Sequence, residues 1–193
     1  MYSGTNLEKV LRSGHFVLTG ELGPPRGTSV EAVQKKASYL KDNVDAVNIT
    51  DNQTGMVRMS SWATSLIVQQ EGLEPVYQMV CRDRNRLAMQ ADILGASAMG
   101  IGNMLCLSGD HQQFGDHPHA KGVFDIDSMQ LISMVKSMRD DAKFQGGADI
   151  DQPPSMFIGA AANPFAEPHE WRVYRLAKKI DAGVDFIQTQ CVF

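Results

Sequence analysis

Cysteine is scarce. Only Cys81, Cys106 and Cys191 occur in 193 residues, far apart and without a CxxC pair. That odd, scattered set argues against a disulfide framework or a cysteine-built metal site. Each lies in or at the end of an apolar run, so all three read as reduced core thiols. No run of 18 apolar residues exists, which leaves no membrane span. The opening MYSGTNLEKVLRSG lacks the apolar stretch of a signal peptide. Excess positive charge is missing too: 18 Lys and Arg face 22 Asp and Glu, a net charge of −4. Neither nucleic acid nor an anionic membrane is therefore expected as a partner, and a cytoplasmic protein is. The first apolar run is not followed by GxGxxG, which weakens a dinucleotide-fold reading.

What is present is a repeat of short apolar runs in a chain that is 43% hydrophobic. HFVLTGEL (15–22), DAVNITD (45–51), EPVYQMVC (74–81), NMLCLSGD (103–110), SMFIGAAAN (155–163) and DFIQTQCVF (185–193) are too short for helices and read as buried strands. Their spacing of roughly 30 residues fits a strand–helix unit. Between them, Thr28 and Glu31 suggest a capping box before a helix with Val30, Val33, Ala37 and Leu40 on one face. Asp83 is placed to cap a helix carrying Leu87, Ala91 and Leu94 on its inner face. Leu131, Val135 and Met138 share a face in a later helix. Pro168 starts the last helix and Gly183 stops it. The 11 methionines read as core filler.

Alternating strands and helices mean a parallel sheet, open or closed. Polar residues gather at the strand ends: Glu21, Thr50 with Asp51, Gln78, Asp110, Asn163 and Gln190. Polar groups on six successive strand ends favour the (β/α)8 TIM barrel, whose active site lies on that face. Eight strands and about 250 residues are usual. Six are present here, so residues 1–193 are expected to form a single, incomplete α/β barrel domain, a fragment with apolar strand edges.

Two carboxylates stand out. Glu21, in TGELGPPRG, is either a solvated strand-end group or a general acid aimed by the stiff Pro24-Pro25 loop. Asp110 follows Leu-Ser-Gly and is either a turn residue or a ligand-facing carboxylate beside a glycine that lets a flat molecule approach the backbone. The histidines of HQQFGDHPH lack metal-ligand spacing, and a loop covering the site is the favoured reading.

These motifs in this order, GELGPPRG, VNITDN, LSGD and AGVDFIQTQCVF, resemble the methylenetetrahydrofolate reductase family, flavin-dependent barrels of one-carbon metabolism. The resemblance implies that FAD is the cofactor, with reduced nicotinamide or another low-potential donor as electron source. It implies reduction of 5,10-methylenetetrahydrofolate to 5-methyltetrahydrofolate, in methionine biosynthesis or an anaerobic one-carbon pathway. Glu21 matches the acid that protonates N10 of the folate. Asp110 matches the aspartate between flavin and pterin, and Gln190 a folate-binding glutamine. Thr50, Asp51, Gln78, Leu107, Ser108, Gly109, Asn163, Arg175 and Lys179 match positions around the FAD. The family's usual arginine before Gly-Asp is Ser108 here, its usual histidine is Gln78, and its usual tyrosines are Asp51 and Asn163. These departures leave the electron donor open, together with a homo-oligomer or an electron-transfer partner subunit. The competing readings are a pterin-binding methyltransferase barrel without flavin and a non-catalytic relative of the reductase.

Overall fold

The computed structural model describes residues 2–193. Six strands form one sheet: β1 (Thr19–Leu22), β2 (Ala46–Ile49), β3 (Pro75–Val80), β4 (Asn103–Leu107), β5 (Phe157–Ala162) and β6 (Phe186–Thr189). They lie in strictly sequential order and every neighbouring pair is parallel. A doubly wound sheet reverses its strand order at a switch point, whereas a barrel does not. The expected α/β barrel class holds: the sheet curls as part of a TIM barrel, with β1 and β6 at its edges.

Strand alternation divides the sheet into two faces. The outer face carries Val47, Ile49, Tyr77, Met79, Met104, Cys106, Ile158 and Ala160, all buried. Against them pack residues of α2 (Val30–Leu40), α3 (Ser61–Gln70), α4 (Arg86–Ala98) and α5 (Ser128–Lys136). Burying each large aliphatic side chain contributes roughly 1.5–3 kcal/mol, and this layer holds most of the core. Six methionines, Met79, Met89, Met104, Met134, Met138 and Met156, are buried core filler as expected, whereas Met99 is exposed.

Several local expectations change. The cap of α2 is Ser29, whose hydroxyl accepts the Ala32 N–H, not Thr28. The cap of α4 is Asn85, because Asp83 is occupied by Arg82 and Asn52. The inner face of α4 is Met89, Ile93 and Ala96, while Leu87 is 74% exposed. Leu131, Val135 and Met138 are buried as expected, although the helix widens into a π-turn at Ser137–Asp141. Pro168 precedes a short 3-10 turn, His169–Trp171, rather than leading directly into α6 (Arg172–Asp181). Gly183 follows α6 with φ +103°, the left-handed stop expected of it. Cys81 and Cys106 are buried free thiols, but Cys191 is exposed and not a core residue.

One helix had no expectation attached to it. α1 (Asn6–Arg12) precedes the first strand and packs Leu7 against the inner face, with Ala46, Val76, Leu105 and Phe157. Phe157 and Phe186 stack there at 5.0 Å between ring centroids. The N-terminal end of the barrel interior is thus apolar and plugged.

Acidic groups brace the same end. The Glu74 carboxylate accepts the N–H groups of Asn6 and Leu7 at 2.6 and 2.8 Å, where the helix dipole favours negative charge. Asn103 binds both Glu74 and Thr5. Asp45 accepts the Leu18 N–H, and Asp185 accepts the Ile158 N–H and pairs with Arg139 at 2.6 Å. Glu8, fully buried, accepts the N–H groups of Tyr2, Ser3 and Gly4 and pairs with Arg12. Burial alone would push its carboxyl up. Those hydrogen bonds outweigh burial and hold it at about 2.

Candidate active site

At the other end of the strands the interior turns polar. By the strand register, Glu21 and Asn48 are direct neighbours, Gln78 lies beside Leu105, and Gln188 beside Ala161. A cavity of ≈ 380 Å³ opens there. Its walls bring together Glu21, Thr50, Asp51, Gln78, Leu107, Ser108, Gly109, Asp110 and Gln190. These are nine of the twelve residues expected at the site. The other three, Asn163, Arg175 and Lys179, line a second and more apolar cavity of ≈ 560 Å³ between β4, β5 and α6. Leu107, Ser108 and Gln190 border both, so the two form one continuous depression.

The carboxylates differ in freedom. Asp51 is buried, and its oxygens accept the Val80 N–H at 3.0 Å and both Arg84 terminal nitrogens at 2.6 and 3.1 Å. It lines the cavity, but its charge is spent on Arg84. Glu21 is exposed on the cavity wall. Asp110 is exposed too, and one oxygen, Oδ2, accepts the Thr54 N–H at 3.1 Å. Gly109, with φ +92°, sets up that placement. A Cβ there would sit 3.0 Å from Val80 Cβ and 3.3 Å from Arg82 Cβ, so the turn requires glycine.

Polar groups at and beside this cavity are incompletely satisfied. Asn48 Oδ1 and Thr50 Oγ1 are buried without a hydrogen-bond partner. Native interiors rarely leave such atoms unpaired unless a water or ligand completes them. In the apolar cavity, Lys179 donates to the Ala161 carbonyl. Burial depresses its ammonium, and the nearby Arg175 adds to that. Three basic side chains at the wall of an apolar cavity, Arg172, Arg175 and Lys179, suit an anionic ligand with a flat apolar portion. The residue types present therefore fit the flavin dinucleotide that the sequence resemblance implies, an apolar lining with cationic groups at its wall.

The whole chain supports the same relationship. The family model described as methylenetetrahydrofolate reductase matches residues 6–193. The chain belongs to the methylenetetrahydrofolate reductase family. Among solved structures it resembles a 2,3-dimethylmalate lyase of the PEP mutase/isocitrate lyase superfamily, with TM-score 0.61 and 12% identity over 98% of this chain and 64% of that one. It also resembles an uncharacterized protein from Clostridium thermocellum that binds two copies of 5-methyl-5,6,7,8-tetrahydrofolic acid. There the TM-score is 0.61 and the identity 15%, over 97% of this chain and 59% of that one. At such identities the likeness is one of fold. The reductase-family chain spans about three-fifths of the length of these solved structures. A comparison with curated proteins finds no match.

Eight residues lining this cavity were not expected from the sequence of this reductase-family member, among them Asn52, Gln53, Arg82 and Gln188. Gln188 was readable from strand alternation, two residues before Gln190. Arg82 was not, since CRDRNR reads as a solvated, charged loop. Among the described residues no group of three or more His, Cys, Asp or Glu is placed to hold a metal ion. Nor is any helix long and apolar enough to cross a membrane. The 111–122 loop lies against the turn after β2, where Gly115 meets the backbone of Gly55. Arg26 pairs with Asp116 across the same seam.

Proposed function

We propose that the chain is the folate-binding part of an FAD-dependent reductase converting 5,10-methylenetetrahydrofolate to 5-methyltetrahydrofolate in the cytoplasm. The observation that carries the reading is the pairing of two cavities. One is polar, with Glu21 and Asp110 both exposed within it, and it runs into an apolar one walled by Arg175 and Lys179.

In this reading residues 1–193 are a single barrel domain. The apolar cavity takes FAD, with Arg175 and Lys179 toward its phosphates and Leu107, Ser108 and Gly109 toward its ring. Bound there, the flavin supplies the hydride. Glu21 holds a proton for N10 of the folate and gives it up as the five-membered ring opens. A positioned general acid of this kind is worth about 10²–10⁴-fold. Asp110 accepts hydrogen bonds from the pterin, and Gln190 donates to it. Thr50, whose unpaired hydroxyl lines the polar cavity, holds water or ligand there.

The test is the absorbance spectrum of the purified protein, followed by calorimetric titration with 5-methyltetrahydrofolate. A bound flavin spectrum, bleached anaerobically by NADH, NADPH or a reduced low-potential carrier and restored by methylenetetrahydrofolate, is the expected result. Folate binding without any flavin would instead identify a pterin-binding methyltransferase barrel. Neither ligand binding would sink both readings.

A further inference from the structure

The side chain that ties this site together is one the reductase reading does not use. Arg82 leaves the end of β3 and is almost fully buried. Its Nε and Nη2 grip both oxygens of Asp83 at 2.7 and 2.8 Å. Nη1 donates to the Asp110 carbonyl at 2.8 Å, and Nη2 to the Asn52 carbonyl at 3.0 Å. Its own backbone continues the sheet: the N–H donates to Ser108 O at 3.1 Å, and the carbonyl accepts the Val123 N–H at 2.7 Å. One guanidinium therefore reaches the loops after β2, β3 and β4.

The loop after β2 that it holds contains strained backbone, and the turn after β4 relies on glycine. Asn52, Thr54 and Gly55 have φ of 40°, 58° and 73°, and Gly109 has 92°. Non-glycine residues in that region persist only where surroundings hold them. Asp110 is pinned from two sides: Arg82 takes its carbonyl, and the Thr54 N–H, in the loop whose Asn52 Arg82 also holds, takes its carboxylate. Only a planar fork with several fixed donors makes all these bonds at once, and lysine does not.

We infer that Arg82 is the positioning residue of this site. It acts through Asp110, fixing where that carboxylate meets a ligand by locking the loops after β2 and β4 to each other. The inference rests on the folate reading for the identity of the ligand, but not for the locking.

A double-mutant cycle tests it on the full chain, with 5-methyltetrahydrofolate as probe and hydrogen exchange as second measurement. Arg82→Met and Arg82→Lys should each weaken binding by roughly 2- to 150-fold, the span that coupling between neighbouring residues produces. In the Asp110→Asn background the same changes should cost little more. The Thr54 and Val123 amides should exchange faster in both Arg82 variants, while amides within β3 and β4 keep their protection. Additive losses in the cycle, full rescue by lysine, or unchanged exchange at Thr54 and Val123 would each overturn the inference. If the wild type does not bind the probe, the folate reading fails, and the exchange measurement alone decides whether Arg82 locks the loops.

Discussion

The two ends of the barrel use the same residue type for opposite purposes. At the N-terminal end, Glu8, Glu74, Asp45 and Asp185 each accept hydrogen bonds from backbone N–H groups, and Glu8 and Asp185 also hold an arginine. At the C-terminal end, Glu21 and Asp110 stand exposed on a cavity wall, and Asp110 has a single backbone donor on its carboxylate. A carboxylate surrounded by fixed donors is immobile, which serves stability. One with open coordination remains available to a ligand. Asp51 shows that position alone does not decide: it sits at the open end, yet Arg84 binds it as firmly as any acid at the closed end.

The sharpest way to break this comparison is Glu21→Gln. If open coordination marks chemistry, the variant keeps its fold and its flavin but loses about 10²–10⁴-fold in flavin reoxidation by methylenetetrahydrofolate, measured by stopped flow. A change of only a few fold would make Glu21 a solvated strand-end group. Asp110→Asn comes next. Replacing a charged acceptor by a neutral one costs about 1.5–3 kcal/mol per lost bond, or roughly 10- to 100-fold in affinity for 5-methyltetrahydrofolate. Melting temperature should hold, and the potential of bound flavin should rise because a nearby negative charge is removed.

Glu8→Ala tests the closed end, with the smallest expected effect. It strands the N–H groups of Tyr2, Ser3 and Gly4 and should lower stability by about 1–3 kcal/mol, read by urea denaturation, with ligand affinity unchanged. The pH dependence follows the same logic. The Glu8 carboxyl is ordinarily near 4.5 and lies at about 2 in the folded protein. Its contribution is therefore complete above about 4.5 and is lost as pH falls toward 2. Wild type should lose stability over that window, and Glu8→Gln should show a shallower decline.

Much of the open end was legible in the sequence and little of the closed end was. Glu21, Thr50, Gln78, Asp110 and Gln190 each sit at or near the end of an apolar run, and parallel winding sends all such ends to one side. The bracing acids also adjoin strands, but on the upstream side, and nothing in their identity says which carboxylates find donors. α1 is seven residues long, too short to show a periodicity. Leu87 misled because a helical stripe fixes spacing but not which of two adjacent stripes faces inward. Arg82 escaped notice because its partners, Asn52, Asp83 and Asp110, come from three separate loops. Cys191 looked like core only by virtue of apolar neighbours in the chain.

The plug at the closed end carries a consequence for the order of events during synthesis. Thr5 bonds Asn103 across 98 residues of sequence, and Asn6 and Leu7 wait for Glu74. The ribosome adds roughly 5–20 residues per second, so about 5–20 s separate the appearance of Thr5 from that of Asn103. Through that interval α1 has no seat, and a seven-residue helix is marginal by itself in water. α1 is thus made before the strands that seat it and docks only after them. Protection of its amides, followed in time, would serve as a clock for completion of the first four strands.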